Sequence, residues 1–202
     1  MPLSHRQPIA AVYGSSTVRE DDPAFAMTRE LGHALARRGI AVMTGGYGGA
    51  MAAASLGAHE AGGHVIGVTV DLFEARGGAN PWVVERVHTP TLYARLAHLL
   101  ETADAFVAVP GSIGTLNEVF LTWTLLSVSA RPAAPLVLMG AHWHAWLDAH
   151  RAPGLVPAHL FRFIEVAETP EATAEAVERG IAAARAARTE ASTTTEKGSA
   201  PA

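Results

Sequence analysis

The chain has 202 residues, of which 49% are hydrophobic and 17% charged, a composition typical of a compact domain rather than of a disordered chain. A net charge of -4 argues against a general nucleic-acid-binding protein, because there is no basic excess to neutralise phosphates. The absence of cysteine excludes disulfides, thiolate catalysis and Cys-ligated metals. No signal-peptide pattern opens the chain and no apolar run reaches ~18 residues, so a cytoplasmic protein without a membrane partner is expected.

Apolar, strand-like runs alternate with helical runs along most of the chain. Strands are predicted, in chain order, at 8–14, 40–46, 64–70, 104–110 and 134–140, with a short extended piece at 161–167. Helices are predicted at 22–39, 49–63, 91–103, 114–129, 142–152 and 169–187. Residues 71–90 are predicted to form a long loop.

The strands are nearly continuously apolar and are separated by helices, a pattern typical of a parallel sheet that is covered on both faces. The predicted fold is therefore α/β, a Rossmann-like, doubly wound, mostly parallel sheet with helices on both faces. One domain is expected over residues 1–187. Residues 188–202 are polar and low in complexity, and we expect them to form a disordered tail.

Three predicted strands end in short loops rich in glycine and hydroxyl groups, at 14–17, 44–49 and 111–115. In open parallel sheets, ligands bind outside the carboxyl ends of the strands, where the strand order reverses. Backbone N–H groups in such loops, together with the positive end of a following helix, suit an anion. Glycine is also required in such turns for geometry alone, but three loops converging on one sheet edge favour an anion site.

The number of lysines in the chain excludes two classes of enzyme. Lys197, in the predicted tail, is the chain's one lysine, whereas pyridoxal enzymes and P-loop NTPases need a lysine in the site. A dinucleotide fingerprint is also weak, because Gly46 and Gly48 begin a GxGxxG pattern whose third glycine is replaced by Met51. Asp71 stands where a ribose-binding acid could lie. No cofactor is expected.

Glu118 follows the third of these loops. Residues 115–118 match the T-x-x-E capping box, in which Thr115 and Glu118 close the first turn of a helix. These four residues alone favour capping over catalysis. A glutamate there would also lie near any anion that the loop holds, so the two roles are compatible.

Arg95 lies on the predicted helix 91–103, beside an apolar stripe formed by Leu92, Leu96, Leu99 and Leu100. Spacing alone favours an arginine on a solvated helix face. His142, His144 and His150 invite a metal interpretation, but His142 and His144 are two residues apart and therefore lie on different faces of a helix. No metal site is expected.

Four ordered segments together resemble the Lonely Guy family of phosphoribohydrolases, in a superfamily often labelled lysine decarboxylase-like. PGSIGTLNE at 110–118 is similar to the family motif PGGxGTxxE, and TGGYGGAMA at 44–52 to the motif GGGxxGLMG. VYGSS at 12–16 resembles the first strand and loop of the family. Arg95 stands at the place of the arginine in the MHERK-like segment. The resemblance covers roughly residues 8–150.

The resemblance implies a homodimer that hydrolyses the N-glycosidic bond of a purine or cytokinin nucleoside 5′-monophosphate, such as AMP. Glu118 and Arg95 would be the catalytic pair. The residues expected to bind the phosphate or shape the nucleotide pocket are Gly111, Ser112, Gly114, Thr115, Gly45, Gly46, Gly49, Met51, Gly14, Ser15 and Ser16. Whether the Glu118 carboxylate would stabilise charge on the ribose, hold its hydroxyls or orient water is left open.

Ser112 replaces the second glycine of the PGG motif. If that position requires a positive φ, serine costs about 1 kcal/mol or more, although its hydroxyl could also contact the phosphate. The alternative function is a carrier that binds a nucleotide or the molybdenum cofactor without hydrolysing it.

Overall fold

The computed structural model of the protein describes residues 6–75, 77–151 and 154–197. Within these residues the strands are β1 (Ile9–Tyr13), β2 (Ala41–Thr44), β3 (Val65–Val70), β4 (Glu85–Thr89), β5 (Ala105–Ala108), β6 (Leu136–Met139) and β7 (Ile164–Ala167). The helices are α1 (Pro23–Arg37), α2 (Ala50–Glu60), α3 (Asp71–Glu74), α4 (Leu92–Thr102), α5 (Ile113–Ser127), α6 (His142–Arg151) and α7 (Pro170–Lys197), with a 3-10 helix at Ala158–Phe163.

The seven strands of the described residues form one parallel sheet in the order β4-β3-β2-β1-β5-β6-β7. The α/β fold class predicted from the sequence is confirmed. After β1 the chain adds strands on one side of the sheet as far as β4, and then crosses to the other side of β1 to begin β5. The strand order therefore reverses between β1 and β5, and in such sheets this is the crevice where ligands bind.

The two faces of the sheet bury alternate side chains of each strand, as the two-residue period of a strand requires. In β1, Ala10 and Val12 face the side covered by α1, α2 and α7, whereas Ala11 and Tyr13 face the side covered by α4, α5 and α6. All five residues of β1 are buried, because this strand is central. The central strands therefore had to be apolar throughout, which is why their positions could be predicted.

The predicted loop at 71–90 was wrong in part, because it contains the short helix α3 and the edge strand β4. The sequence of β4, Glu85–Thr89, is ERVHT, and most of its residues are exposed or only partly buried. An edge strand of this kind pairs through its backbone on one side and exposes its side chains, so it has no apolar run to reveal it.

Helix α7 extends to Lys197, ten residues beyond its predicted end at 187. Residues 188–197 thus continue a helix in the structure, and Ala and Glu in this stretch are residues that tolerate helices well. Residues 198–202 of the predicted tail lie outside the described residues, so the tail's disorder stays a prediction. Of the helices described, none has both the length and the apolar character that crossing a bilayer requires.

Helices α1 and α2 approach each other through two glycines. A Cβ atom on Gly32 would overlap the carbonyl oxygen of Ala54, and one on Gly57 would overlap the carbonyl oxygen of Arg29. The absence of a side chain at these two positions therefore allows the two helix backbones to pack in direct contact. This contact seats α2 against the sheet, and the loop before α2 forms part of the site described below.

Gly57→Ala is expected to lower the free energy of unfolding by about 1–3 kcal/mol, because the added methyl group has to force the two helix backbones apart. In an unconstrained helix, by contrast, replacing glycine by alanine raises the free energy of unfolding by about 1 kcal/mol. Urea unfolding of the purified variant measures the change.

Gly114→Ala is the matched control, because Gly114 also lies in a helix but a Cβ there would meet no atom within 4 Å. It should raise the free energy of unfolding by up to about 1 kcal/mol, the gain expected in an unconstrained helix. Equal stabilities of the two variants would mean that the α1–α2 contact relaxes freely.

Candidate functional site

A cavity of about 390 Å³ opens beside the carboxyl ends of β1 and β5, where the strand order reverses. Its volume lies in the usual range for small-molecule sites, about 300–1,000 Å³. The predicted site residues that line it are Gly14, Ser15, Ser16, Gly45, Met51, Arg95, Ser112, Gly114, Thr115 and Glu118. The fold thus brings all three glycine-bearing loops and the arginine of α4 to one place.

Three predicted site residues do not line the cavity, namely Gly46, Gly49 and Gly111. Gly46 and Gly49 have φ values of 79° and 67°, which disfavour any residue with a side chain. A Cβ on Gly49 would also lie 2.7 Å from the Cα of Ser16, and one on Gly111 would overlap the side chain of Thr115. These glycines therefore allow the loops to pack closely against each other, while other residues of the same loops line the cavity.

The capping-box interpretation of residues 115–118 is wrong. Helix α5 begins at Ile113 with Ser112 as its N-cap, three residues earlier than the N-cap Thr115 that this pattern requires. Thr115 is therefore buried in the first turn, and Glu118 lies in the second turn, too far along to cap the helix. Ser112 has a φ of -98° and an extended ψ of -162°, so serine carries no positive-φ strain at this position.

The N-terminus of α5 presents backbone N–H groups without a partner among the described residues. Ser112 makes no side-chain capping bond, and its carbonyl oxygen accepts the first helical hydrogen bond from Leu116. Within the described part of the chain, the N–H groups of Ile113, Gly114 and Thr115 meet no acceptor. These donors and the positive end of the helix dipole suit a negatively charged group.

Arg95 is buried and points into the cavity, with only 7% of its surface exposed. Its Nε donates a hydrogen bond of 2.8 Å to the carbonyl oxygen of Val68, which fixes the guanidinium plane. The Nη1 atom lies 4.0 Å from Oε1 of Glu118, and Nη2 lies 3.9 Å from Sδ of Met51. A Cβ on Gly45 would overlap the guanidinium, so the glycine makes room for it.

The spacing argument for a solvated Arg95 is thus wrong. Arg95 lies four residues before Leu99, which is 2% exposed, and both residues occupy the inner face of α4. Leu92, by contrast, is 39% exposed and does not belong to that face. The i, i+4 spacing between Arg95 and Leu99 could have revealed the buried position of Arg95. The charge of the side chain favoured a solvated position instead.

Burial raises the pKa of Glu118 to about 7, and the positive charge of Arg95 offsets only part of this effect. Burial also lowers the pKa of Arg95, which the carboxylate of Glu118 opposes. The two side chains are 8% and 13% exposed, and their separation of 4.0 Å is longer than a charge-assisted hydrogen bond. Both groups therefore keep hydrogen-bonding capacity for a polar ligand in the cavity.

An aromatic wall forms part of the cavity, and the sequence did not predict it. Tyr47 and Phe73 line the cavity and pack edge to face, with ring centroids 5.7 Å apart. The hydroxyl of Tyr47 donates to the carbonyl oxygen of Val70, and Asn80 donates through Nδ2 to the carbonyl oxygens of Gly46 and Tyr47. Phe73 lies in the predicted loop, where no periodic pattern marked it.

Neither the ribose-acid alternative nor the histidine cluster gains support from the geometry. Oδ1 of Asp71 lies 2.6 Å from Nε2 of His88, and Asp71 does not line the cavity. His144 lies 3.6 Å from Glu168, and Nδ1 of His150 lies 2.7 Å from the carbonyl oxygen of Trp146. Across residues 6–75, 77–151 and 154–197, no group of three or more His, Asp or Glu side chains is placed to hold a metal ion.

Comparison with known proteins places the chain in a family. A family model described as "Possible lysine decarboxylase" matches residues 51–177. A cytokinin riboside 5′-monophosphate phosphoribohydrolase of Mycobacterium tuberculosis is 31% identical over 153 residues, which cover 72% of this chain and 81% of that protein. The chain belongs to the Lonely Guy family. The probable cytokinin riboside 5′-monophosphate phosphoribohydrolase LOGL9 of Oryza sativa is also 31% identical, over 74% of this chain and 66% of the rice protein.

Solved structures of molybdenum-cofactor proteins share the fold. The molybdenum cofactor binding protein of Rippkaea orientalis matches with a TM-score of 0.70 at 22% identity, over 87% of this chain and 98% of that one. The molybdenum cofactor carrier protein of Chlamydomonas reinhardtii matches with a TM-score of 0.65 at 27% identity, over 88% and 99%. The description of the family model names a lysine decarboxylase. A pyridoxal-dependent decarboxylase needs a lysine in its active site, whereas the one lysine of this chain, Lys197, is the last residue of α7.

Glu118→Gln is expected to stabilise the protein more at pH 8 than at pH 5, relative to the parent. Since burial raises the pKa of Glu118 to about 7 from its ordinary value of 4.5, the folded parent binds this proton more tightly than the unfolded chain. Parent stability therefore falls as the pH rises between these two values and then levels off. Glutamine does not titrate, so its advantage should grow by on the order of 2 kcal/mol across this window.

Chemical denaturation of both proteins at the two pH values measures this difference. Glu101→Gln, at an exposed position of α4, controls for the loss of one negative charge. An equal effect of Glu118→Gln at both pH values would contradict the burial of the carboxyl group.

Proposed function

We propose that the protein hydrolyses the N-glycosidic bond of a purine or cytokinin nucleoside 5′-monophosphate and releases the free base and ribose 5-phosphate. The observation that carries the proposal is the buried pair of Arg95 and Glu118, which face each other at 4.0 Å in a cavity that also holds the N-terminus of α5. The names of the relatives support the substrate class. A nucleotide as the small-molecule partner and a homodimer as the assembly are part of the same proposal.

The N-terminus of α5 would bind the 5′-phosphate. The N–H groups of residues 113–115 form the positive end of the helix, and Ser112, Gly114 and Thr115 line the cavity. Ser15 and Ser16 line it from the loop after β1. Phosphate binding far from the reacting carbon would supply energy for positioning the ribose.

The chemistry near Glu118 follows from the charge that the reaction develops. Breaking the bond between C1′ and the base leaves positive charge on the ribose, as in glycoside hydrolysis. A water molecule then supplies a hydroxyl group to C1′ and a proton to the departing base. An ionised Glu118 would stabilise the positive charge or accept the water's proton, and Arg95 would bind oxygens of the ribose or phosphate through its fixed fork of N–H groups.

The aromatic wall would pack against the base. Tyr47 and Phe73 line the cavity together with Met51, and the Tyr47 hydroxyl is engaged with the backbone of Val70. This side of the cavity therefore offers rings and a thioether, which suit a flat heterocycle.

Glu118→Ala should abolish hydrolysis, with a loss of at least about 100-fold, while nucleotide binding stays within a few-fold. Arg95→Ala should also reduce turnover strongly. The purified variants and the parent are incubated with AMP, isopentenyladenosine monophosphate, GMP, CMP and UMP, and free base is measured by chromatography. Glu101→Ala, a glutamate on the exposed face of α4, is the matched control and should keep parental turnover.

Near-normal turnover by Glu118→Ala would refute the assignment of the catalytic pair. A parent protein that is stabilised by nucleotides in thermal melting, but releases no base from any of them, would instead support the carrier function. That alternative has one specific observation in its favour, the 27% identity to the molybdenum cofactor carrier protein of Chlamydomonas reinhardtii.

The pH profile of hydrolysis tests which form of Glu118 is active. If the ionised carboxylate acts on the ribose or water, kcat/KM rises with pH and levels off above the pKa of Glu118, which burial raises to about 7. We expect this rising profile, measured with AMP from pH 5 to pH 9. A profile that falls through the same range would assign Glu118 the role of a general acid instead.

A further inference from the structure

Tyr13 is a residue of the cavity wall that the proposed reaction does not use. It ends β1, is 3% exposed and lines the same cavity as Glu118. Its ring stacks on that of Phe106 in the neighbouring strand β5, with centroids 6.0 Å apart and an interplanar angle of 25°. The ring is thus held on one side by the sheet, and its hydroxyl group reaches helix α5.

The hydroxyl of Tyr13 meets Thr122, one turn after Glu118 on α5. The two oxygens, Oη of Tyr13 and Oγ1 of Thr122, are 3.2 Å apart. Thr122 is fully buried, and its Oγ1 donates a hydrogen bond of 2.7 Å to the backbone carbonyl oxygen of Glu118. These contacts join β1 to the residue whose side chain faces Arg95.

The direction of both hydrogen bonds follows from the number of protons. A threonine hydroxyl has a single proton, and Thr122 gives it to the carbonyl oxygen of Glu118. Tyr13 must therefore be the donor in its contact with Thr122. The chain of donors runs from Tyr13 to Thr122 to the carbonyl of Glu118, and each hydroxyl in it is buried.

Tyr13 keeps its proton throughout the range in which the protein would work. Burial raises the pKa of its hydroxyl well above the ordinary value, and the negative charge of Glu118 adds to this effect, whereas Thr122, Arg131 and Arg95 oppose it. The donor role of Tyr13 therefore does not depend on pH near neutrality.

We propose that Tyr13 and Thr122 are positioning residues, which tie the second turn of α5 to β1 and so hold the carboxylate of Glu118 opposite Arg95. The consequence for turnover rests on the proposed function, whereas the consequence for the position of Glu118 does not. The tie is specific to this turn, because the N-terminus of α5 has no side-chain cap that could hold the helix from its end.

Two variants break the chain of hydrogen bonds and one preserves it. Tyr13→Phe removes the first donor and keeps the ring on Phe106. Thr122→Val removes the hydroxyl that connects Tyr13 to Glu118 and keeps the shape of the side chain. Thr122→Ser keeps the hydroxyl and should behave like the parent.

Thr28→Val is the matched control for Thr122→Val. Thr28 is also buried, at 1% exposure, and its Oγ1 donates a hydrogen bond of 2.7 Å to the carbonyl oxygen of Ala24, one turn back on α1. Its loss should lower thermal stability to a similar degree, but Thr28 bonds the carbonyl of Ala24, which does not line the cavity, whereas Thr122 bonds that of Glu118, which does.

The first measurement is the titration of the Glu118 carboxyl carbon by NMR with labelled glutamate, assigned by the signal that Glu118→Gln removes. In Tyr13→Phe and Thr122→Val, the second turn of α5 should move more freely, so that water reaches the carboxyl group of Glu118. Because burial raises the pKa of a carboxyl group, the titration midpoint should then fall by about one pH unit. Thr122→Ser and Thr28→Val should keep the parental midpoint.

The second measurement is turnover of AMP. Tyr13→Phe and Thr122→Val should lower kcat about tenfold and leave KM within about twofold, because a displaced carboxylate weakens the transition state and not the phosphate contacts. Variants that only melt at a lower temperature, with kcat and the Glu118 midpoint both parental, would overturn the proposal. If the parent releases no base from any nucleotide, the proposed function fails, and the Glu118 midpoint alone decides the positioning role.

Discussion

The buried guanidinium of Arg95 is the constraint on which the rest of the site depends. A cation that is removed from water is costly unless its donors are satisfied. Here Nε donates to the carbonyl of Val68, while Nη1 lies 4.0 Å from Glu118 and Nη2 lies 3.9 Å from the sulfur of Met51. Such incomplete pairing leaves donors directed at the cavity, and Gly45 has to remain without a side chain for the guanidinium to fit.

The strand order explains how residues from separate parts of the chain come to line one cavity. The loops after β1, β2 and β5 meet because the strand order reverses between β1 and β5. Gly46 and Gly49 adopt positive φ values, and the N–H of Ala50 donates to the carbonyl oxygen of Ser15. The loops after β1 and β2 are therefore joined through their backbones, and the carboxylate of Glu118 makes no hydrogen bond of its own within the described residues.

The limits of sequence reasoning are clearest at β4 and at Phe73. The central strands are buried on both faces, so their apolar runs were visible, but β4 is a polar edge strand stabilised by backbone pairing with β3. Phe73 lies on the four-residue helix α3, which is too short to show a period. Its place in the aromatic wall depends on Tyr47, a residue of a different loop, and no local pattern reports such a contact.

The α/β class, the approximate positions of the central strands and the family could all be predicted from the sequence, because each of these follows from local composition or from short motifs. The sequence also placed Glu118 among the candidates through the motif at 110–118, and Arg95 through its place in the MHERK-like segment. The start of α5 at Ile113, which rules out Glu118 as a cap, and the inward direction of Arg95 are visible only in the folded chain. The physical reason is that both outcomes depend on partners far along the chain, such as Val68 for Arg95 and Tyr13 for the turn that carries Glu118.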